Sequence, residues 1–353
     1  MSRIAVIPGD GIGAEVTREA VKVLRCLSAN RGFPLELVAW DLGAERYLRT
    51  GVAITAAEMA QLRDDSDAIF LGAMGDPRVP GNQHARDILL GLRFNLDLYI
   101  NLRPVRLYEA RLSPLRDVRV EDVDIVVFRE NTEGVYVGMG GNFKAGTADE
   151  VAIEEDINTW KGVERIIRAA CEYALVHGRR RVTLSDKANA MPHAGALWRR
   201  AFEAVGREFP QLERDAVYAD ALALDLVLRP ARYDVIVAPN LFGDILSDLA
   251  AALVGGLGLA PSASLHPGRA GLFEPVHGSA PDLVGTGRAN PLAAVLTVAL
   301  LLEHIGQRDA GAALERAVQD ALHAGATTPD LGGSLDTAAV GDWLCERLPQ
   351  VRS

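Results

Sequence analysis

The chain has 353 residues, with 37 lysines and arginines against 47 aspartates and glutamates, a formal charge of −10. Its 49% apolar and 24% charged residues are those of a globular protein with a sizeable core, and the acidic balance excludes the clustered basic surface of a nucleic-acid binder. Cys26, Cys171 and Cys345 are too few and too scattered for a disulfide framework or a Cys-x-x-Cys zinc site, and no apolar stretch reaches the ~20 residues of a membrane span, so a cytoplasmic protein with no membrane partner is expected.

The elements follow a strand, turn, helix rhythm. Residues 4–7 are a short β-rich run ending in Pro8-Gly9-Asp10-Gly11-Ile12-Gly13. Residues 15–29 carry Val16, Ala20, Val23, Leu24 and Leu27 at helical spacing. Residues 35–40 alternate like a strand, and 68–72 (Ala-Ile-Phe-Leu-Gly) read as a buried one. Further strands are expected at 124–128, 181–185 and 233–238, and helices at 160–177, 194–208, 244–253, 292–305 and 309–324. This alternation implies an α/β protein with a largely parallel sheet. Residues 136–156 break the rhythm, with Gly138-Met139-Gly140-Gly141 leading into an alternating stretch that reads as a glycine-rich hairpin or arm. The length suggests two domains, yet no linker separates them.

Four features carry chemistry. Gly9, Gly11 and Ala14 formally fit a dinucleotide fingerprint, although Glu36 and Asp41 only flank the place where its acidic partner belongs, and a tight strand-to-helix turn explains them equally. Asp244 and Asp248 stand four apart on one helix face after a strand. They suit Mg²⁺ or Mn²⁺, against a solvated helix face as the plain alternative. Arg93, Arg103 and Arg129 lie in apolar company and match an anionic substrate, or structural acids one by one. Lys187 follows the strand at 181–185, where α/β proteins place ligands, whereas Arg179-Arg180-Arg181 reads as a solvated loop. Finally, the loop from Phe273 to Asp282, followed by Gly285, Gly287 and Asn290, can wrap a phosphate or an adenine, or is simply rich in turn formers.

Together these segments resemble the β-decarboxylating dehydrogenases: the isopropylmalate, isocitrate, homoisocitrate, tartrate and D-malate enzymes. The resemblance runs from the glycine motif at 4–13 to Thr328-Pro-Asp-Leu-Gly-Gly333. It is most specific in Asn240-Leu-Phe-Gly-Asp-Ile-Leu-Ser-Asp-Leu249 and Glu274-Pro-Val-His-Gly-Ser-Ala-Pro-Asp282. It implies an isopropylmalate dehydrogenase-like α/β fold, not a Rossmann fold, with two lobes sharing a large mixed sheet. One lobe, on the cofactor side, comprises 1–98 and 256–353. The other, for substrate and dimerisation, comprises 99–255, with an arm near 138–156 that clasps a second subunit. The resemblance further implies a homodimer with shared active sites.

By the same resemblance, Arg93, Arg103 and Arg129 grip substrate carboxylates, and Asp244 and Asp248 hold the metal together with Asp220 of the other chain. Lys187, also from the other chain, is the general base and Tyr136 the general acid. Glu274, His277, Gly278, Ser279, Ala280, Asp282 and Asn290 form the cofactor loop. Relatives that prefer NADP carry lysine at the place of Asp282, so NAD is expected. The substrate is a malate-type hydroxy acid undergoing oxidative decarboxylation. Leu89 and Leu90 point first to 3-isopropylmalate. The run Arg129-Glu130-Asn131-Thr132-Glu133-Gly134 resembles the isocitrate, homoisocitrate and D-malate members, and the arm sequence keeps D-malate or tartrate as the alternative. Homoisocitrate or isocitrate comes next, since Arg86 could bind a third carboxylate. A catalytically silent regulatory subunit of the same fold is the rival from another class, and the complete residue set speaks against it.

Overall fold

The computed structural model describes residues 1–348. Their strands, in chain order, are β1 (Ser2–Gly9), β2 (Leu35–Ala39), β3 (Ala68–Ala73), β4 (Ile100–Arg106), β5 (Asp124–Glu130), β6 (Gly140–Phe143), β7 (Val151–Glu154), β8 (Arg181–Asp186), β9 (Glu213–Tyr218), β10 (Val235–Ala238), β11 (Pro261–Leu265) and β12 (Gly271–Pro275). They divide between two compact units. The first is Met1–Leu98, Arg106–Val120 and the described chain from Ala251 onward; the second is Tyr99–Val105 and Glu121–Ala250.

In the first unit the strands lie in the order β2-β1-β3-β12-β11. All neighbours are parallel except β11 and β12. β3 is buried along its whole length, which is why it reads as an unbroken apolar run rather than an alternating one. The helix Gly13–Arg31 buries Val16, Ala20, Val23, Leu24 and Leu27, the five residues its spacing singles out. It stops at Gly32, whose left-handed conformation (φ 72°) bonds back to Ser28. Ile7, Ile69, Leu71, Ile88, Leu92 and Leu272 are among the side chains of one buried cluster, against which Leu89 packs in part.

In the second unit the order is β4-β5-β10-β8-β9, and β5, β10, β8 and β9 run parallel. Thr159 caps the helix Trp160–Val176 by accepting from Gly162 N, and Pro192 opens the helix Pro192–Gly206. β6 and β7 form an antiparallel hairpin, with Gly140 opposite Glu154, and all their residues are exposed.

The structure differs from the sequence expectation in two places that matter. The helix expected at 244–253 begins four residues earlier, as Asn240–Ala252. The basic run is no bare loop: Arg179 bridges Asp124 (2.7 Å) and Asp234 (3.0 Å), and Arg181 opens β8 paired with Glu213 (2.5 Å).

Candidate active site

The second unit concentrates charge where its central strands end. Arg129 is the penultimate residue of β5, in register with Ala238 at the end of β10. The chain then turns through Pro239 into the helix Asn240–Ala252, whose i, i+4 spacing aims Asp244 and Asp248 the same way. Gly243 lets the helix approach, because a Cβ there would stand 2.7 Å from Cβ and Cγ of Arg129. Arg129, 2% exposed, donates from Nε to Asn240 Oδ1 (2.9 Å) and pairs with Asp244. Arg103, from β4, reaches Asp244 (3.1 Å), Asp248 (3.0 Å) and Ser247 Oγ (2.8 Å), and is held by Asn101 (2.8 Å).

Tyr136 completes this cluster. Its hydroxyl donates to Asp244 Oδ2 at 2.7 Å, and the Arg129 guanidinium lies 4.9 Å from its ring centre. Burial and the bond to the Asp244 carboxylate raise its pKa, against the pull of Arg129. Burial likewise raises Asp248, opposed by Arg103 and assisted by repulsion from Asp244. The turn that delivers Tyr136 is built on Glu130. Its buried carboxylate accepts from Thr132 N, Thr132 Oγ1 and Glu133 N, each at 2.8 Å, while burial raises its pKa.

Lys187 and Asp220 form a separate pair, Nζ to Oδ1 at 2.6 Å. The lysine follows β8 and the aspartate opens the helix Ala219–Leu228, and the hydrogen bond from Lys187 lowers the Asp220 pKa. Tyr218 lies under Lys187 (5.8 Å) and Arg199 (5.0 Å). A small, largely apolar cleft opens beside Lys187, lined by Asp186, Met191, Trp198, Leu241 and Phe242 among others. Among the described residues of one chain, no three histidine, cysteine, aspartate or glutamate side chains converge to hold an ion. Asp220 therefore does not join Asp244 and Asp248 within a chain.

In the first unit, Arg93 is buried and pairs with Glu274 at 2.7 Å, so this arginine meets a residue expected to serve the cofactor. Its Nε is buried without a partner, a donor open to a carboxylate. Leu89 and Leu90 lie half-buried on a π-helical turn, Arg86–Leu90, an irregularity that often marks a functional site. The glycine motif serves the protein itself. Gly9 and Gly11 have φ of +73° and +56°, and a Cβ on either would collide with the carbonyl of Ala73 or Ser279. The space beside both glycines is thus filled by the protein's own backbone, which explains them by close packing without a pyrophosphate. Asp10 between them accepts from Ala44 N (2.6 Å), Gly75 N (2.8 Å) and His84 (2.7 Å).

The loop after β12 is fastened to that motif by Ile12 N donating to Ser279 O at 2.8 Å. Ser279 is buried, Asp282 exposed, and Ala280 adopts a left-handed φ of 38°. Nε2 of His277 is buried and unpartnered, and burial lowers its pKa. A neutral imidazole with an open nitrogen suits an adenine or a ribose better than an anion. Asn290 is committed at both ends, to Asp330 (2.9 Å) and to Leu292 N (2.9 Å).

The isocitrate/isopropylmalate dehydrogenase family model matches residues 3–344. The chain belongs to this family. Two 3-isopropylmalate dehydrogenases are among its relatives. That of Thermobifida fusca is 45% identical over 350 residues, covering 99% of this chain and 98% of the relative. That of Corynebacterium jeikeium is 50% identical over 349 residues, covering 98% and 99%. The crystal structure of isocitrate dehydrogenase from Methylococcus capsulatus superposes with a TM-score of 0.90 at 37% identity, covering 99% of this chain and all of that one. The fold is therefore of the isocitrate/isopropylmalate dehydrogenase type. Asn240, Ser247 and Asn101 brace the arginines, although nothing in their spacing marks them. Two of them lie inside the block 240–249 that carries the family resemblance.

Proposed function

We propose that the chain is a 3-isopropylmalate dehydrogenase, which places it in leucine biosynthesis, acting with NAD⁺ and Mg²⁺ or Mn²⁺ as a homodimer. The observation that carries the reading is its identity of 45–50% to relatives of that name over nearly the full length of both chains. The donor sets support it. The half-buried carboxylates of Asp244 and Asp248 are hard oxygen ligands, and the open nitrogen of His277 suits a nucleotide.

When bound, a divalent ion would lower the pKa of the substrate hydroxyl and NAD⁺ would accept the hydride. The chain's residues do the rest. Arg93, Arg103 and Arg129 hold the carboxylates, and Leu89 and Leu90 meet the isopropyl group. Lys187 takes the hydroxyl proton. After loss of CO₂ from the β-keto acid, Tyr136 returns a proton to C3, and its raised pKa keeps it protonated at neutral pH. Asp220 supplies a metal ligand from the second subunit, consistent with its separation from Asp244 and Asp248 in one chain. Glu274, His277, Gly278, Ser279, Ala280, Asp282 and Asn290 form the cofactor loop.

D-malate or tartrate is the second reading, and exposed Arg86 on the turn of Leu89 and Leu90 keeps a third-carboxylate substrate after it. The test is NADH production with isopropylmalate, D-malate, tartrate, isocitrate and homoisocitrate, each with NAD⁺ and Mn²⁺. The proposal requires the highest kcat/KM with isopropylmalate, and preference for any other acid overturns it.

A further inference from the structure

The helix Gly13–Arg31 and the helix Thr337–Arg347 lie side by side in the first unit, joined by a seam in constant register. Lys22 Nζ donates to Asp342 Oδ1 (2.6 Å) and Ala338 O (3.2 Å), and Asn30 Nδ2 reaches Leu348 O (3.4 Å). Gly341 lies against the Glu19 carboxylate. Between the Lys22 and Asn30 contacts the same register brings Cys26 opposite Cys345. Both thiols are free and part-exposed, whereas Cys171 is buried elsewhere. We propose that Cys26 and Cys345 are a modification site, a thiol pair that a peroxide closes to a reversible disulfide.

The chemistry is balanced by the oxidant. The Cys26 thiolate attacks a peroxide oxygen, the O–O bond breaks, and one water leaves once the departing oxygen is protonated. The Cys345 sulfur then displaces the sulfenic hydroxyl of Cys26 and its proton leaves with that hydroxyl as a second water. Two thiols lose two electrons and hydrogen peroxide is reduced to two waters. The order follows from reactivity. Burial and the neighbouring Cys26 thiol push Cys345 up to about 12, so it makes little thiolate and is the poorer first nucleophile; its part in the second step comes from its place opposite the oxidised Cys26.

The site has a target. The starts of both helices hold the loop that follows β12. Glu15, in the first turn of Gly13–Arg31, accepts from Gly285 N at 2.7 Å. Thr337 N donates to Gly287 O (2.8 Å) and Thr337 Oγ1 to Ala289 O (2.7 Å). A bond between the helices fixes both supports of residues 285–289 together.

The test treats the purified full-length protein with equimolar hydrogen peroxide. The expected result is a 2 Da mass loss, a link between tryptic peptides 26–31 and 317–347, and reversal by dithiothreitol. C345S should show no link and gain oxygen instead, whereas C26S should show neither link nor oxygen on the remaining thiol of the pair. Amide exchange across 285–289 should slow in the oxidised wild type and not in oxidised C345S. Oxygen adducts without linked peptides in the wild type, or a 2 Da loss that persists in C26S, overturn the site. Unchanged exchange in linked protein overturns the coupling to the loop.

Discussion

The Tyr136 hydroxyl donates to Oδ2 of Asp244 at 2.7 Å, while Arg103 approaches Oδ1 of the same carboxylate at 3.1 Å. One carboxylate thus joins the proposed proton donor to a proposed metal ligand and to a proposed substrate-binding arginine. Tyr136→Phe removes the proton and leaves the ring under Arg129. Its kcat should fall about 10²- to 10⁴-fold, with hydride transfer in a single turnover affected much less than CO₂ release and C3 protonation. Equal slowing of every step would remove Tyr136 from the role.

Asp282 stands exposed on the short turn Pro281–Leu283. A carboxylate there would accept from the ribose hydroxyls of a bound dinucleotide and would repel a 2′-phosphate. The wild type should therefore use NAD⁺ far better than NADP⁺. Asp282→Lys should raise the NADP⁺/NAD⁺ ratio of kcat/KM at least tenfold, about 1.4 kcal/mol of discrimination. A wild type that prefers NADP⁺ would contradict the assignment.

Gly11→Ala tests the junction of the glycine motif with the proposed cofactor loop. The new methyl would meet the Ser279 carbonyl at a backbone φ of +56°. The left-handed conformation alone costs an alanine about 1–2 kcal/mol. Displacement of Ser279 should raise KM for the dinucleotide more than KM for the hydroxy acid. Thermal unfolding with the two KM values measures both effects, and an unchanged midpoint would contradict the contact.

Glu58 gives a pH-dependent prediction about stability. Its bonds to Arg46 (2.7 and 2.8 Å) and its capping box with Thr55 hold its pKa at about 2, against an ordinary 4.5. A carboxyl depressed by folding stabilises the native state above its unfolded pKa, and that stability is lost as pH falls from 4.5 toward 2. With solvent screening, Glu58→Gln should cost about 1–2 kcal/mol at pH 7 by urea denaturation. The gap between wild type and variant should close toward pH 2. A gap that does not change with pH would rule out the ion pair as its source.

The sequence shows the helices whose buried stripe is apolar. Gly13–Arg31, Trp160–Val176, Leu292–His304 and Arg308–His323 lie within two residues of their expected ends. Strands with an apolar run on both faces, such as β3, are equally legible. β9 is not, because Glu213-Arg214-Asp215 are polar and lie at the edge of the strand order, where pairing rather than burial makes the strand. β11 is hidden for a related reason, since Ser262 and Ser264 are buried polar residues. The charged site residues stand out in sequence as polar groups in apolar company. Their pairing does not, because the contacts of Arg103 with Asp248 and of Arg93 with Glu274 span 145 and 181 residues. Only the fold brings such partners together.

The strand order β2-β1-β3-β12-β11 has a consequence for synthesis on the ribosome. β3, buried on both faces, needs β12, which is encoded some two hundred residues later. The second unit is nearly continuous in sequence and can close while the C-terminal segment is still being made. During that interval the N-terminal segment must wait with an apolar strand edge uncovered, a template for wrong pairing. Protection of the nascent chain is therefore needed most over the stretch between emergence of Ala73 and emergence of Pro275.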